Sequence, residues 1–162
     1  LFSAFAVQLL GGAVFLLQLH GSSAATGGVF SAGWRGLLDG VVQNTINRLS
    51  VKPSDLSVWI GPAISKQAFE VGAEVKESFV ERYPYSNEHF VKNSEHQNTI
   101  KYLADLPAIA ASIMAGMGIH HEHISFSNEC TYSNSERYFS YRRDGQCGRM
   151  VSLIWLKTDA SQ

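Results

Sequence analysis

The sequence predicts an α+β fold in which mixed β-sheets and flanking helices form layers. Two patterns lead there. Short apolar runs and runs at helical spacing alternate through the early chain, and strand-like runs then cluster toward the end. The bulk numbers bound the result. At 162 residues, 45% hydrophobic and 17% charged, the chain reads as one domain, residues 1–162, with a single core.

The first element is unusual in its charge. No Asp, Glu, Lys or Arg occurs between Leu1 and Trp34. Ser23-Ala-Ala25 resembles a cleavable small-residue region, but no basic segment precedes the apolar run, and Gln8, Gly11, Gly12 and Gln18 interrupt it. The run is also short and broken for a membrane span. Two buried strands fit better, Phe5 to Leu10 and Ala13 to Leu19, joined by a Gly-Gly turn.

Val29 to Ser31 ends a further strand, and Gly33 and Gly36 bracket a tight turn. Leu37, Leu38, Val41, Val42, Ile46 and Leu49 recur at helical spacing. Pro53 and Asp55 break the chain before a short apolar strand, Leu56 to Ile60, closed by Gly61-Pro62. Ile64, Ala68, Val71, Val75 and Phe79 then predict a second helix with Lys66, Glu70, Glu77 and Glu81 opposite. Tyr83 to Asn98 is polar and reads as a loop or short irregular helices.

The third helix has a clear start. Asp105 is a good N-cap, and Pro107 falls in the first turn, where a missing N–H costs little. Leu106, Ile109, Ala110, Ile113, Met114 and Met117 form its apolar face, and Gly116 and Gly118 can end it. His123 to Phe126 reads as a strand, as does Met150 to Leu156.

Composition narrows the function classes. The net charge is -1 and the pI about 6.6. No basic excess points to a nucleic acid, and no basic amphipathic face points to a membrane surface. Cys130 and Cys147 do not make a disulfide framework, and a reducing cytoplasm suits them.

Four places carry candidate chemistry. In Ala32-Gly-Trp-Arg-Gly36 the glycines allow close backbone approach, and Arg35 adds charge where a phosphate or substrate oxygen can sit. Trp34 reads as a packing residue. Arg142, Arg143 and Arg149 lie close together, and such a cluster tends to persist where an anion or carboxylates sit among the guanidinium groups. The plain alternative is an exposed β-hairpin whose arginines reach water. His120-His-Glu-His123 lies at a helix-to-strand junction with no clear fourth ligand, so a solvated connection is preferred to a metal site. Cys130 reads as a small buried thiol, with a nucleophile as the alternative if a basic neighbour lowered its pKa.

Ser31-Ala-Gly-Trp-Arg-Gly36, Trp59-Ile-Gly-Pro-Ala-Ile64, Phe69-Glu-Val-Gly72 and the segment from Cys130-Thr-Tyr through Tyr138-Phe-Ser-Tyr-Arg-Arg-Asp-Gly145 to Ser152-Leu-Ile-Trp-Leu156 resemble the bacterial laccase-domain family. Its members carry the names polyphenol oxidase, purine nucleoside phosphorylase and peptidoglycan editing factor. The resemblance runs from about Val29 to Leu156. It implies layered mixed sheets, a fold shared with certain toxin deamidases. The chain opens at Leu1 and family members usually begin further upstream, so the expectation is a single laccase-like domain, a fragment or processed product lacking the usual N-terminal portion.

The resemblance implies phosphorolysis of purine nucleosides, with adenosine deamination as a second activity. The small molecules would be a purine nucleoside and phosphate; the oligomeric state stays open. Arg35 and Arg149 are the expected catalytic residues, and Arg142, Arg143 and Glu70 are expected to bind substrate. Glu70 would hold a ribose hydroxyl or pair with an arginine. The implied cofactor is zinc, with copper the alternative under the older name polyphenol oxidase. His20 matches the family's metal-binding histidine within Gln18-Leu-His-Gly21. The other two ligands are missing: Ser31 stands where the family has histidine before Ala-Gly-Trp, and no cysteine precedes Cys130. Cys147 stands where the family usually has threonine. Loss of zinc, with a non-catalytic role on peptidoglycan precursors, is the third reading.

Overall fold

The computed structural model describes residues 3–8, 13–19, 27–49, 51–96 and 99–155, with side chains for 31–49, 51–93 and 99–150. Among the described residues nine strands form three sheets with helices packed against them, and the α+β expectation holds. The central sheet has the order β3-β2-β4-β8, from Gly27–Ala32, Ala13–Leu19, Leu56–Ile60 and Ile124–Phe126. Its first three strands are antiparallel neighbours, and β8 runs parallel to β4 with Trp59 opposite Ser125. β4 alternates buried and half-buried residues, so Leu56, Val58 and Ile60 share the core face.

The two N-terminal strands form, but not as a hairpin. β1, Ser3–Gln8, pairs antiparallel with β9, Met150–Trp155, placing Phe5 opposite Leu153. β2 joins the central sheet instead. Pairing between distant segments leaves no local sequence signal, whereas a Gly-Gly turn does.

Leu37 to Leu49 divides into α1, Trp34–Leu38, and α2, Val41–Arg48. Gly40 makes the break with φ 87, a left-handed conformation that a side chain disfavours. Leu37, Val42 and Ile46 are buried.

The predicted helix from Ile64 to Phe79 is a correction. Lys66–Ala68 is a 3-10 turn, Glu70–Gly72 is a strand, β5, and only Ala73–Arg82 is helix, α3. Phe69 and Val71 are both buried two positions apart, the spacing of one strand face, while Val71, Val75 and Phe79 keep the helical spacing. A sheet partner decides between them: β5 pairs with β7, Thr99–Ala104, and β7 also pairs with β6, Phe90–His96. The polar segment read as a loop is therefore partly a 3-10 turn, Pro84–His89, and partly β6. Polar residues obscure it because one face of this antiparallel sheet is exposed.

α4, Leu106–Gly116, begins as predicted, with the Asp105 carboxylate accepting from the Ala108 amide at 3.1 Å. Its Leu106, Ile109, Ile113 and Met114 form the core with Leu37, Ile46, Leu56, Ile60 and Phe79. Among the described residues no helix is long and apolar enough to cross a membrane.

Candidate functional site

The β3–α1 turn is held from behind by packing and from its far end by a hydrogen-bonded tyrosine. Leu37 is fully buried, and its amide closes the turn on the Gly33 carbonyl at 3.0 Å. Gly36 lies close against β3: a Cβ there would meet the Ala32 Cβ at 3.3 Å. The buried Tyr83 hydroxyl donates to the Leu37 carbonyl at 3.4 Å, while accepting from Gln43 at 2.7 Å and Arg82 at 3.0 Å. α1 is thereby tied to both α2 and α3; Arg35 is exposed, while Trp34 is partly buried and packs against the core as expected, its ring also lining the cleft described below. The Arg35 guanidinium lies 4.3 Å from the Trp34 ring, within cation–π range.

The opposite wall is the segment from Cys130 to Asp144. Its arginines end in a helical turn, α5, Tyr141–Asp144, rather than in the β-hairpin offered as the plain alternative. The Arg143 side chain explains the change. It donates to the carbonyls of Thr131 at 2.8 Å, Tyr132 at 2.7 Å and Tyr138 at 2.9 Å, and by two further bonds to the Asp144 carboxylate. A guanidinium has five N–H donors, and all five are used. The same contact holds the Asp144 carboxyl below its ordinary pKa and raises that of Arg143, because each hydrogen-bonds the other's charged form.

Between the walls lies a cleft of about 430 Å³, lined by Trp34, Arg35, Phe69, Leu106, Thr131, Ser140, Tyr141 and Arg142, with Gly33, Gly36 and Ile64. It joins two of the sequence-predicted residues, Arg35 and Arg142. Arg142 donates one bond to the Glu70 carbonyl at 2.8 Å and lies 5.0 Å from the Phe69 ring, which leaves its other N–H groups for a ligand. Among the described residues no carboxylate lines the cleft.

The remaining predicted residues lie elsewhere. Glu70 takes part through its backbone: Arg142 binds its carbonyl, while its carboxylate accepts from Asn93 at 2.6 Å. Arg149 does not line the cleft and donates to the Cys147 and Gly148 carbonyls at 2.7 and 3.2 Å. His20 lies outside the described residues. Sequence reasoning passed over Thr131, Ser140 and Tyr141, whose neighbours in the chain are more conspicuous, and read Trp34 as packing alone.

A second cleft of about 390 Å³ lies across the bridge between Ala63 and Cys130. Cys130 lines it with Ser65, Lys66, Asp105 and Glu129. Partial burial raises the pKa of the Cys130 thiol, but hydrogen bonds to its sulfur from Ser133 and from Ser65 outweigh this and bring it down to about 7. The lowering therefore comes from these hydrogen bonds, without the basic neighbour considered from sequence.

The zinc implied by the resemblance requires about three protein ligands. Among the described residues no three His, Cys, Asp or Glu side chains are grouped to hold an ion. Ser31 offers only a hydroxyl, buried and without a hydrogen-bond partner. The rings of His120 and His123 meet edge to face at 5.7 Å between centroids. The described residues thus do not fit the metal, and no chemical step is assigned to it.

Comparison with known proteins adds an independent line. The family model described as multi-copper polyphenol oxidoreductase laccase matches residues 13–157. The purine nucleoside phosphorylase YfiH of Shigella flexneri is 43% identical over 125 residues, covering 77% of this chain and 49% of that protein. The purine nucleoside phosphorylase of Haemophilus influenzae is 42% identical over 126 residues, with 78% and 50% covered. Among solved structures, a Neisseria meningitidis protein matches with a TM-score of 0.83 at 36% identity, over 96% of this chain and 61% of that one. YlmD from Geobacillus stearothermophilus matches with a TM-score of 0.79 at 28% identity, over 92% and 56%. The chain spans about half the length of the curated relatives it matches.

Proposed function

The chain belongs to the multi-copper polyphenol oxidoreductase laccase family, and on that premise we propose that it carries out phosphorolysis of purine nucleosides in the cleft between Trp34 and Tyr141. The observation that carries this reading is the lining: aromatic rings for a planar base beside two guanidinium groups for an anion, with no carboxylate to repel it. The volume falls within the range of about 300–1,000 Å³ usual for small-molecule sites.

In the reaction a phosphate oxygen forms a bond to the ribose anomeric carbon. The glycosidic C–N bond breaks, its electron pair leaves with the base, and the base takes up a proton. The products are the free purine and ribose 1-phosphate. Arg35 and Arg142 would hold the phosphate against its own charge repulsion from the forming bond, an electrostatic role that needs no proton transfer. Arg149, expected beside them, could reach the cleft only if it left the Cys147 and Gly148 carbonyls. Arg143 serves the site as a scaffold, since its donors are taken.

Adenosine deamination and phenol oxidation would require an activated water or a copper centre, and the described residues group no ligands for either. The reading places the protein in the cytoplasm, a compartment where the free Cys130 and Cys147 stay reduced. The test is chromatographic detection of hypoxanthine released from inosine, with and without phosphate. Release only with phosphate supports phosphorolysis. Equal release without it would mean hydrolysis, and oxidation of phenols without nucleoside cleavage would move the activity to the family's older name.

A further inference from the structure

We propose that the hydroxyls of Thr131 and Ser140, together with the Arg142 guanidinium, form a seat for a phosphoryl anion within this cleft. The inference deepens the phosphorolysis reading and rests on it for the identity of the site, while the binding claim is separately testable.

Both hydroxyl residues line the cleft, and each is only 3% exposed. Among the described residues neither side chain has a hydrogen-bond partner. The Thr131 amide donates to the Ala63 carbonyl at 2.9 Å and its carbonyl accepts from Arg143, but no described residue hydrogen-bonds its side chain. Ser140 stands immediately before α5, a position where serine ordinarily caps the following turn, yet its side chain makes no capping bond. The Asp144 carboxylate instead accepts from the Ser140 amide at 3.3 Å. Both residues line the cleft with no side-chain partner among the described residues, so together they offer two hydroxyl donors to a ligand seated there.

The chemistry of the wall selects the ligand. Thr131 supplies one hydroxyl, Ser140 and Arg142 at the α5 turn supply the other and a guanidinium, and Arg35 adds a second positive charge from the opposite wall. A planar carboxylate is satisfied by one guanidinium fork, whereas the oxygens of a phosphoryl group can accept from several directions. Arg142 is oriented for this by its bond to the Glu70 carbonyl and by the Phe69 ring. Thr131 and Ser140 are positioned by the Arg143 hub, which grips the carbonyls of Thr131 and Tyr138. Inorganic phosphate and the phosphoryl group of ribose 1-phosphate share this chemistry.

The experiment is isothermal titration of the full chain with inorganic phosphate and, separately, ribose 1-phosphate, in the parent, Thr131→Val, Ser140→Ala and Thr131→Ser. Loss of one hydroxyl to a charged ligand should weaken binding about tenfold. Thr131→Ser should restore parent-like affinity, and Ser140→Ala decides the matter alone if Thr131→Val does not fold. Weakened inorganic phosphate supports a co-substrate seat; weakening confined to ribose 1-phosphate supports a sugar-phosphate seat. A parent that binds neither anion, or variants that bind as the parent does, overturns the proposal. If binding depends on these hydroxyls but inosine is not cleaved, the seat stands and phosphorolysis falls. If phosphorolysis proceeds with an unchanged phosphate KM in the variants, the seat falls and phosphorolysis stands.

Discussion

All five N–H groups of Arg143 are taken by the protein, while its neighbour Arg142 gives one to a backbone carbonyl and keeps the rest. The two residues are adjacent and chemically identical, so no reading of residue types separates them. Their partners do. Arg143→Lys keeps the charge but cannot reproduce the fork. It should lower the melting temperature and expose residues 131–140 to limited proteolysis, whereas Arg142→Met should leave both unchanged and weaken phosphate protection against unfolding. Equal melting temperatures for parent and Arg143→Lys would contradict the scaffold role. Ser31 gives the opposite case. Its hydroxyl is buried with no partner among the described residues, so Ser31→Ala should stabilise the fold by ~1 kcal/mol, measured by urea unfolding. A loss of stability would show that the hydroxyl is satisfied in solution.

At the scale of elements, what could be read from sequence followed from whether a local signal existed. α4 was legible because Asp105, Pro107 and a run of apolar residues each act within a few positions. Asp105→Ala should cost ~1 kcal/mol by thermal or urea unfolding. β5 was not legible because β7, a strand well along the chain, decides it; β6 pairs with the strand that directly follows it but is hidden by its polar residues, and the α5 turn is set by the carbonyls that Arg143 grips. The apolar spacing from Ile64 to Phe79 satisfies a helix until Gly72 adopts extended backbone and β7 takes up β5. Cys130 depends on its surroundings in the same way. With its thiol lowered to about 7 by hydrogen bonds from Ser133 and Ser65, the thiolate fraction rises as pH rises through that value. Alkylation by iodoacetamide should therefore show a midpoint near pH 7, and Ser133→Ala should shift it upward. A midpoint that Ser133→Ala leaves in place would remove these hydrogen bonds as the cause.

At the scale of the whole molecule, the sheets bring distant motifs to one place. The turn after β3 and the segment after β8 face each other across the cleft, although about a hundred residues separate them in sequence. The four motifs that carried the family resemblance were legible one by one. Their assembly was not, and it selects Arg35 and Arg142 for the cleft while leaving Arg149 on its own loop carbonyls. The metal is also a question at this scale. Of the three ligands that the family resemblance implies, two have no counterpart in the sequence, and among the described residues no three His, Cys, Asp or Glu side chains are grouped to hold an ion. The chain should bind zinc weakly or not at all, and Ser31→His alone should not restore a site. Elemental analysis after dialysis checks this; stoichiometric zinc in the parent would contradict it. The central claim is that nucleoside and phosphate meet between Trp34 and Tyr141. The most direct measurement is a crystal structure of the chain with ribose 1-phosphate. The predicted result is a phosphoryl group within hydrogen-bond distance of Arg142, Thr131 and Ser140, with the sugar toward Trp34. An occupied site elsewhere, with this cleft unliganded, would contradict the account.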